Sequence, residues 1–316
     1  MKMEKNAKIF VAGSNGLAGS AIVRKLSNEG YYNLLIPSSN ELDLRINEKV
    51  LSFFIKEQPE YVFFAAGTVG GIMANKTYPA DFISNNISII LNTLQASLQT
   101  GVKKLLYLGS SCIYPKHSEQ PIKEEYLLSG FLEESNRPYA IAKIAGIELC
   151  QSFNKQFNTD YICLMPTNLF GINDNYDSQN SHLVAALIRK FYEAKLQGNK
   201  IVEIWGTGSP KREILCSDEL ADASLYFMNT YSGNDIINIG SGVDYTISEI
   251  ASFIKDISGF DGEIKYDLSK PNGTPRKLLD SSRAELLGWK SKSDLLNDLS
   301  KAYDDFDKTF QLSKKK

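Results

Sequence analysis

A glycine-spaced turn joins the first apolar run of the chain to its first helical pattern, and it constrains the fold more than any other feature. Gly13-Ser14-Asn15-Gly16-Leu17-Ala18-Gly19 follows the strand-like residues 8–12 and opens a helical pattern over residues 17–28. Glycines at this spacing let the backbone turn tightly and approach a pyrophosphate, while the helix start behind them offers free N–H groups and the positive end of a dipole. The spacing also fits a plain strand-to-helix turn; its context separates the two readings. Residues 33–36, 61–65, 104–108 and 161–165 read as further strands, mostly short and apolar, as in strands covered on both faces. Helical patterns such as 47–57 lie between them. This alternation predicts right-handed βαβ units and a parallel sheet. The expected fold is α/β: a Rossmann-type doubly wound parallel sheet with a smaller C-terminal α/β lobe.

The second half is less regular. Gly and Pro cluster at residues 206–210 and 271–275, and helical patterns recur at 217–229, 247–257 and 292–310. With no repeat and no long linker, a division into residues 1–168 for the dinucleotide and 169–316 for a substrate is expected, with 213–240 returning to the first unit. A formal net charge of -2 gives no basic field for nucleic acid. The terminal Lys314, Lys315 and Lys316 form only a short solvated run. No signal-peptide pattern opens the sequence, and its longest apolar stretch, residues 61–73, contains glycine and is too short for a bilayer. Cys112, Cys150, Cys163 and Cys216 are scattered, which speaks against a zinc site or a disulfide framework. A cytoplasmic protein without a metal is expected.

Tyr139 and Lys143 lie four apart in a helical pattern after Pro138, so both side chains can face one cleft. A tyrosine titrates near pH ~10, and a neighbouring ammonium favours its phenolate. The spacing alone is common on surface helices. Ser110 and Ser111, however, follow the apolar run 104–108, at the carboxyl end of an expected parallel strand, where open α/β sheets bind ligands. Glycine loop, strand-end serine and Tyr-x-x-x-Lys helix, in this order, resemble the extended short-chain dehydrogenase/reductases.

A narrower resemblance rests on several segments together. Residues 65–72 (AAGTVGGI), 78–82 (YPADF), 109–115 (GSSCIYP), 138–143 (PYAIAK), 166–171 (PTNLFG), Ser181-His182, 205–213 (WGTGSPKRE) and 270–280 (KPNGTPRKLLD) look like the GDP-L-fucose synthase family. The resemblance implies conversion of GDP-4-keto-6-deoxy-D-mannose to GDP-L-fucose by epimerisation at C3 and C5, then reduction of the C4 ketone with NADPH. It implies a homodimer as well. Ser110, Tyr139 and Lys143 would serve the ketone, and Cys112 and His182 would move protons at carbon. A thiol and an imidazole, with ordinary pKa values near ~8.5 and ~6.5, suit such transfers near neutrality. A lone cysteine is most often a small buried hydrophobe, but Cys112 lies two residues past the strand-end Ser110, which favours the catalytic reading. Cys150 and Cys163 are expected to be packing residues and His117 a surface one.

By the same resemblance, Gly13, Ser14, Asn15, Gly16, Leu17, Ala18, Gly19, Ser38, Ser39, Asp43 and Leu44 would hold NADP(H). So would Ala65, Ala66, Leu108, Gly109, Ser110, Lys143, Pro166, Thr167, Asn168, Leu169 and His182. Leu183, Leu187, Lys190, Trp205, Arg212, Asn272 and Lys277 would meet the GDP-sugar, with Trp205 against the nucleotide and Arg212 and Lys277 at phosphate or ribose. Trp205 also fits a core position. The chain departs from the family at Lys190 (usually Arg), Asn272 (usually Asp) and Ala185 (usually Pro). Asn15 and the run Pro37-Ser38-Ser39-Asn40 stand where many relatives carry arginines for the 2′-phosphate. Two other readings follow: a reductase or epimerase of another nucleotide sugar, such as a 6-deoxyheptose, and a catalytically silent NADP-binding regulator.

Overall fold

In the computed structural model, which describes residues 2–178, 181–270 and 272–313, the expected strands form one parallel sheet. They are β1 (Ile9–Ala12), β2 (Leu34–Leu35), β3 (Tyr61–Phe64), β4 (Lys104–Leu108) and β5 (Tyr161–Pro166). Then come β6 (Asn168–Phe170), β7 (Ile201–Trp205), β8 (Lys211–Cys216) and β9 (Ile237–Ile239), which pairs with β5 in the first sheet. β10 (Asp244–Thr246), β11 (Glu263–Asp267) and β12 (Arg276–Lys277) complete the strands. The sheet order is β2-β1-β3-β4-β5-β9. Strand order reverses beside β1, so the crevice past the carboxyl ends of β1 and β3 is the ligand position of such a sheet. The tail lysines 314–316 and Pro271 of the second Gly/Pro cluster lie outside the described residues.

Helices α1 (Leu17–Asn28), α2 (Asn47–Glu57), α3 (Ile72–Thr77), α4 (Pro79–Gln99) and α5 (Arg137–Phe157) belong to the first half. α6 (Leu183–Gln197), α7 (Ser217–Thr230), α8 (Ile247–Ser258), α9 (Ser282–Leu286) and α10 (Leu295–Ser313) belong to the second. The strands β1, β3, β4 and β5 are buried along their whole length, which explains their unbroken apolar character. One face packs Ile9, Val11 and Phe63 on Ile22 and Leu26 of α1 and Phe227 of α7; the other packs Phe10, Val62 and Phe64 on Phe54, Leu94 and Ile147. A third core, around Phe170, Phe191, Ile250 and Phe306, holds α6, α8 and α10 together. There α8 begins with a capping box: Thr246 Oγ1 accepts from Glu249 N at 3.0 Å, and Thr246 N donates to Glu249 Oε2 at 2.7 Å. A cap of this kind contributes about 1 kcal/mol.

The last helix starts at Leu295, three residues later than the pattern over 292–310 predicts. Side-chain acceptors hold the preceding turn out of the helix: Ser291 Oγ donates to Glu219 at 2.8 Å and Lys292 N donates to the same carboxylate at 2.6 Å. Among the described residues, no helix is long and apolar enough to cross a membrane.

Candidate active site

The glycine loop lies at the switch point. Gly13 has φ +81°, and a Cβ there would stand 2.8 Å from the Ala66 backbone. A Cβ on Gly19 would stand 2.0 Å from the Gly13 carbonyl oxygen. Glycine is therefore required at both places, by the segment just past β3 in one case and by the loop itself in the other. Gly16 is the residue before α1, and no side chain caps that helix start. Uncovered backbone beside a helix N-terminus, with Ala65 and Ala66 as its small-residue wall, fits the pyrophosphate of a dinucleotide. Asn173, itself at φ +67°, pins this loop by donating Nδ2–H to the Asn15 carbonyl at 2.8 Å, while its own N–H reaches Asp305 at 2.8 Å. Pro166 ends β5; Thr167 and Asn168 then donate to the Glu213 carbonyl at 3.3 and 2.8 Å, fixing the segment that runs on to Leu169 in β6.

Past β2, the backbone N–H and hydroxyl of Ser38 both donate to Glu41 Oε2 at 2.7 Å, and these bonds hold the Glu41 carboxyl below its usual range. Ser39 and Asn40 are exposed. Asp43 is chelated by Arg45, at 2.9 and 2.8 Å, and its pKa falls to about 2. Leu44 follows, and its carbonyl accepts from buried Asn92 at 2.9 Å.

The reactive groups gather past β4. Gly109 is needed because a Cβ would stand 2.4 Å from Met165 Sδ on β5. Ser110 then caps a 3₁₀ turn, Ser111–Ile113, its Oγ accepting from Cys112 N at 3.2 Å. Tyr139 sits in the first turn of α5 with its ring edge-on to Phe82, and Lys143 is one turn on. Lys143 Nζ donates to the Leu108 carbonyl at 2.8 Å and lies 5.9 Å from the Tyr139 ring centre. Burial pushes the Lys143 ammonium down to about 8. Burial raises the Tyr139 phenol, the Cys112 thiol adds to that, and a hydrogen bond with Ser110 works against it. Without a nicotinamide ring in the cleft, burial is the largest influence on the phenol, and Lys143 makes its hydrogen bond to the strand-end carbonyl. Tyr139 keeps its proton at neutral pH, as suits a donor to an oxyanion.

Cys112 is half-buried, whereas Cys150, Cys163 and Cys216 are buried in the cores. Burial opposes its ionisation, but the Lys277 charge and hydrogen bonds from Ser110, Lys277 and Asn136 outweigh that and hold the thiol below its ordinary pKa. A cavity of about 70 Å³ opens beside it, bounded by Asn136, Thr274, Arg276 and Lys277. His182 stands immediately before α6 and is exposed; the protein around its ring disfavours the cation. Among the described residues no hydrogen bond joins His182 to Cys112, so any direct cooperation between them would pass through a molecule lying in the cleft. His117 is exposed, as expected.

From Cys112 a chain of contacts leads outward along the second lobe. Lys277 pairs in register with Arg212, whose Nη1 donates to the Thr274 carbonyl at 2.7 Å. Asn272 Oδ1 accepts from Thr207 N at 2.7 Å, beside Gly206 at φ +74°. Trp205 precedes that glycine; it is 54% exposed, which rules out core packing, and the ammoniums of Lys190 and Lys270 lie 5.8 and 5.6 Å from its ring. Leu183 begins α6 half-buried, and Leu187 is buried in the third core. Sequence reasoning missed Asn136, Asn173 and also Asn86, which is buried in α4 and bonds both Thr68 N and Thr68 O at 3.0 Å, holding the loop after β3. Only Asn136 had a usable signal, two residues ahead of Pro138.

A dinucleotide cradle, a Ser-Tyr-Lys set at a strand end and a second lobe lined by cations define a nucleotide-dependent enzyme of short-chain dehydrogenase/reductase type. The chain belongs to the NAD dependent epimerase/dehydratase family, whose model matches residues 9–240. Within it, the chain groups with the GDP-L-fucose synthases: it is 54% identical to GDP-L-fucose synthase 1 of Arabidopsis thaliana over 301 residues, covering 95% of this chain and 93% of that one. Among solved structures it resembles a GDP-L-fucose synthetase from Naegleria fowleri bound to NADP, with TM-score 0.93, 28% identity and coverage of 98% and 96%. It also resembles a GDP-6-OMe-4-keto-L-xylo-heptose reductase from C. jejuni, with TM-score 0.94, 38% identity and coverage of 98% and 100%.

Proposed function

We propose that this enzyme converts GDP-4-keto-6-deoxy-D-mannose to GDP-L-fucose, epimerising C3 and C5 and then reducing C4 with NADPH. The observation that carries the reading is Cys112, a thiol of lowered pKa, beside the hydroxyls of Ser110 and Tyr139. The C4 ketone acidifies the hydrogens on both flanking carbons. Cys112 and His182 take and return protons there from opposite sides of the sugar. Ser110 and Tyr139 hydrogen-bond the C4 oxygen, which stabilises the enolate and later supplies the proton of the new hydroxyl. A reduced nicotinamide supplies hydride to C4. Residues 1–168 with 213–240 would hold the cofactor through the groups named above, and the lobe built from the remainder of 169–316 the GDP-sugar, through Leu183, Leu187, Lys190, Trp205, Arg212 and Asn272. We place the enzyme in the cytoplasm as a homodimer, which sedimentation equilibrium tests. Exchange of solvent deuterium into C3 and C5 of the keto-sugar, without reduced cofactor, tests the epimerase half; absence of exchange overturns it.

The likeness to the C. jejuni heptose reductase supports a second reading, reduction of a different GDP-keto-sugar. Lys190 and Asn272, which replace the usual Arg and Asp, favour it; Cys112 and His182, which a simple reductase does not need, favour the first. Turnover by the intact Ser110, Tyr139 and Lys143 would exclude a silent regulator.

NADPH is expected to be the better cofactor by less than in relatives with arginines at the 2′-phosphate. Ser38 is committed to the Glu41 carboxylate, and an anion at that rim opposes a phosphate. A charge-assisted hydrogen bond contributes about 1.5–3 kcal/mol, so each lost arginine contact costs about tenfold or more. Comparing kcat/KM for NADPH and NADH checks this, and Glu41→Gln should raise the ratio. A wild-type preference of several thousandfold contradicts it.

A further inference from the structure

Lys277 was expected at a phosphate or ribose, yet its Nζ lies 3.5 Å from Cys112 Sγ. The contact is built in rather than incidental. Lys277 belongs to β12, paired in parallel with β8. The segment after it is fastened on two sides: Leu278 N donates to Gln120 Oε1 at 2.8 Å and Leu279 N to Glu213 Oε2 at 3.0 Å. Glu213 is fully buried, and its other oxygen accepts from Gly242 N at 2.8 Å. Ile122 N donates to the Leu278 carbonyl at 2.7 Å and Asp280 N to the Ile122 carbonyl at 2.8 Å, which ties the same segment to the chain leaving the Cys112 turn.

The charges around the thiol single out this lysine. Lys116, Glu133, Arg276 and Lys277 line the cavity beside Cys112. Lys116 is paired with Glu133 at 3.0 Å and Arg276 with Asp244. From α5, Lys143 is bonded to the Leu108 carbonyl and Tyr139 is neutral. Among the described residues Lys277 has no carboxylate partner and is the cation left for the sulfur. An ammonium beside a thiol favours the thiolate, the form that acts as a base.

We propose that Lys277 is the positioning residue for epimerisation: its ammonium holds Cys112 as a thiolate aimed into the cleft, with Asn136 and Ser110 as further donors. The step balances: the C–H bond at C3 or C5 breaks, S–H forms, and the electron pair passes into the enolate whose C4 oxygen faces Ser110 and Tyr139. Lys277 then leaves a positive charge beside that enolate. The proposal rests on the reading of Cys112 as the carbon base, but its test needs no substrate. Alkylation of Cys112 by iodoacetamide, followed against pH by peptide mass spectrometry on the whole protein, reports the thiolate; the three buried cysteines serve as internal references.

Lys277→Met should move the alkylation midpoint up by one pH unit or more, slowing alkylation at pH 7 about tenfold or more. Lys277→Arg should recover much of it. In the keto-sugar exchange assay, Lys277→Met should lower kcat with little change in KM. An unmoved alkylation profile in a folded Lys277→Met protein overturns the proposal, and so does a rise in KM alone, the mark of a phosphate contact. If Lys277→Met does not fold, Lys277→Gln decides by the same two readings. A shifted profile with no turnover of the GDP-sugar would uphold the lysine–thiolate pair and refute the substrate instead.

Discussion

Tyr139→Phe is expected to slow ketone reduction by about 10²–10⁴-fold while the GDP-sugar still binds. The phenol is buried, hydrogen-bonded with Ser110, and keeps its proton in this structure. Removing one oxygen leaves the ring in place against Phe82, so the fold and the cleft should survive. What is lost is the proton donor to the C4 oxygen and one of two hydrogen bonds that steady it. Ser110 remains, which keeps some stabilisation and sets the residual rate. Single-turnover oxidation of NADPH measures the rate, and calorimetry with the GDP-sugar measures binding. Reduction within tenfold of wild type would remove Tyr139 from the chemistry.

Cys112→Ser is expected to lower deuterium exchange at C3 and C5 by a similar factor, about 10²–10⁴-fold. Serine has nearly the size of cysteine, and its N–H can still donate to Ser110, so the 3₁₀ turn should hold. Its hydroxyl is a far weaker acid than a thiol, and the Lys277 ammonium cannot make it a useful base at neutral pH. Tyr139 and the cofactor cradle are untouched, so C4 reduction continues. The variant should therefore yield C4-reduced sugar of the unepimerised or partly epimerised configuration. Exchange at the wild-type rate would make Cys112 a neighbour of the site and leave the epimerisation without its base.

The first half of the fold was legible because its strands are covered on both faces and its glycines are sterically compelled. β1, β3 and β4 stand where unbroken apolar runs put them, and Gly13 and Gly19 sit where a Cβ would meet backbone. α4 was less visible: it buries Asn86, Asn92, Thr93 and Ser97, and polar residues on a buried face blur the apolar period. Asn86 and Asn92 lie there because they bond the loops at residues 68 and 44, which no local pattern reveals. The reactive residues were legible by motif, yet two of their relations were not. Lys143 faces the Leu108 carbonyl rather than the phenol, and Lys277 faces the thiol across 165 residues of sequence. Such pairings depend on how β12 docks on β8, a tertiary fact without a sequence period.

The central claim, one cleft that epimerises and then reduces, is tested most directly by incubating the enzyme with GDP-4-keto-6-deoxy-D-mannose and NADPH in deuterated water and reading the product by NMR. The account predicts GDP-L-fucose carrying deuterium at C3 and C5 and protium at C4. A C4-reduced sugar that retains protium and the D-manno-derived configuration at C3 and C5 would contradict it, leaving a reductase without the epimerase.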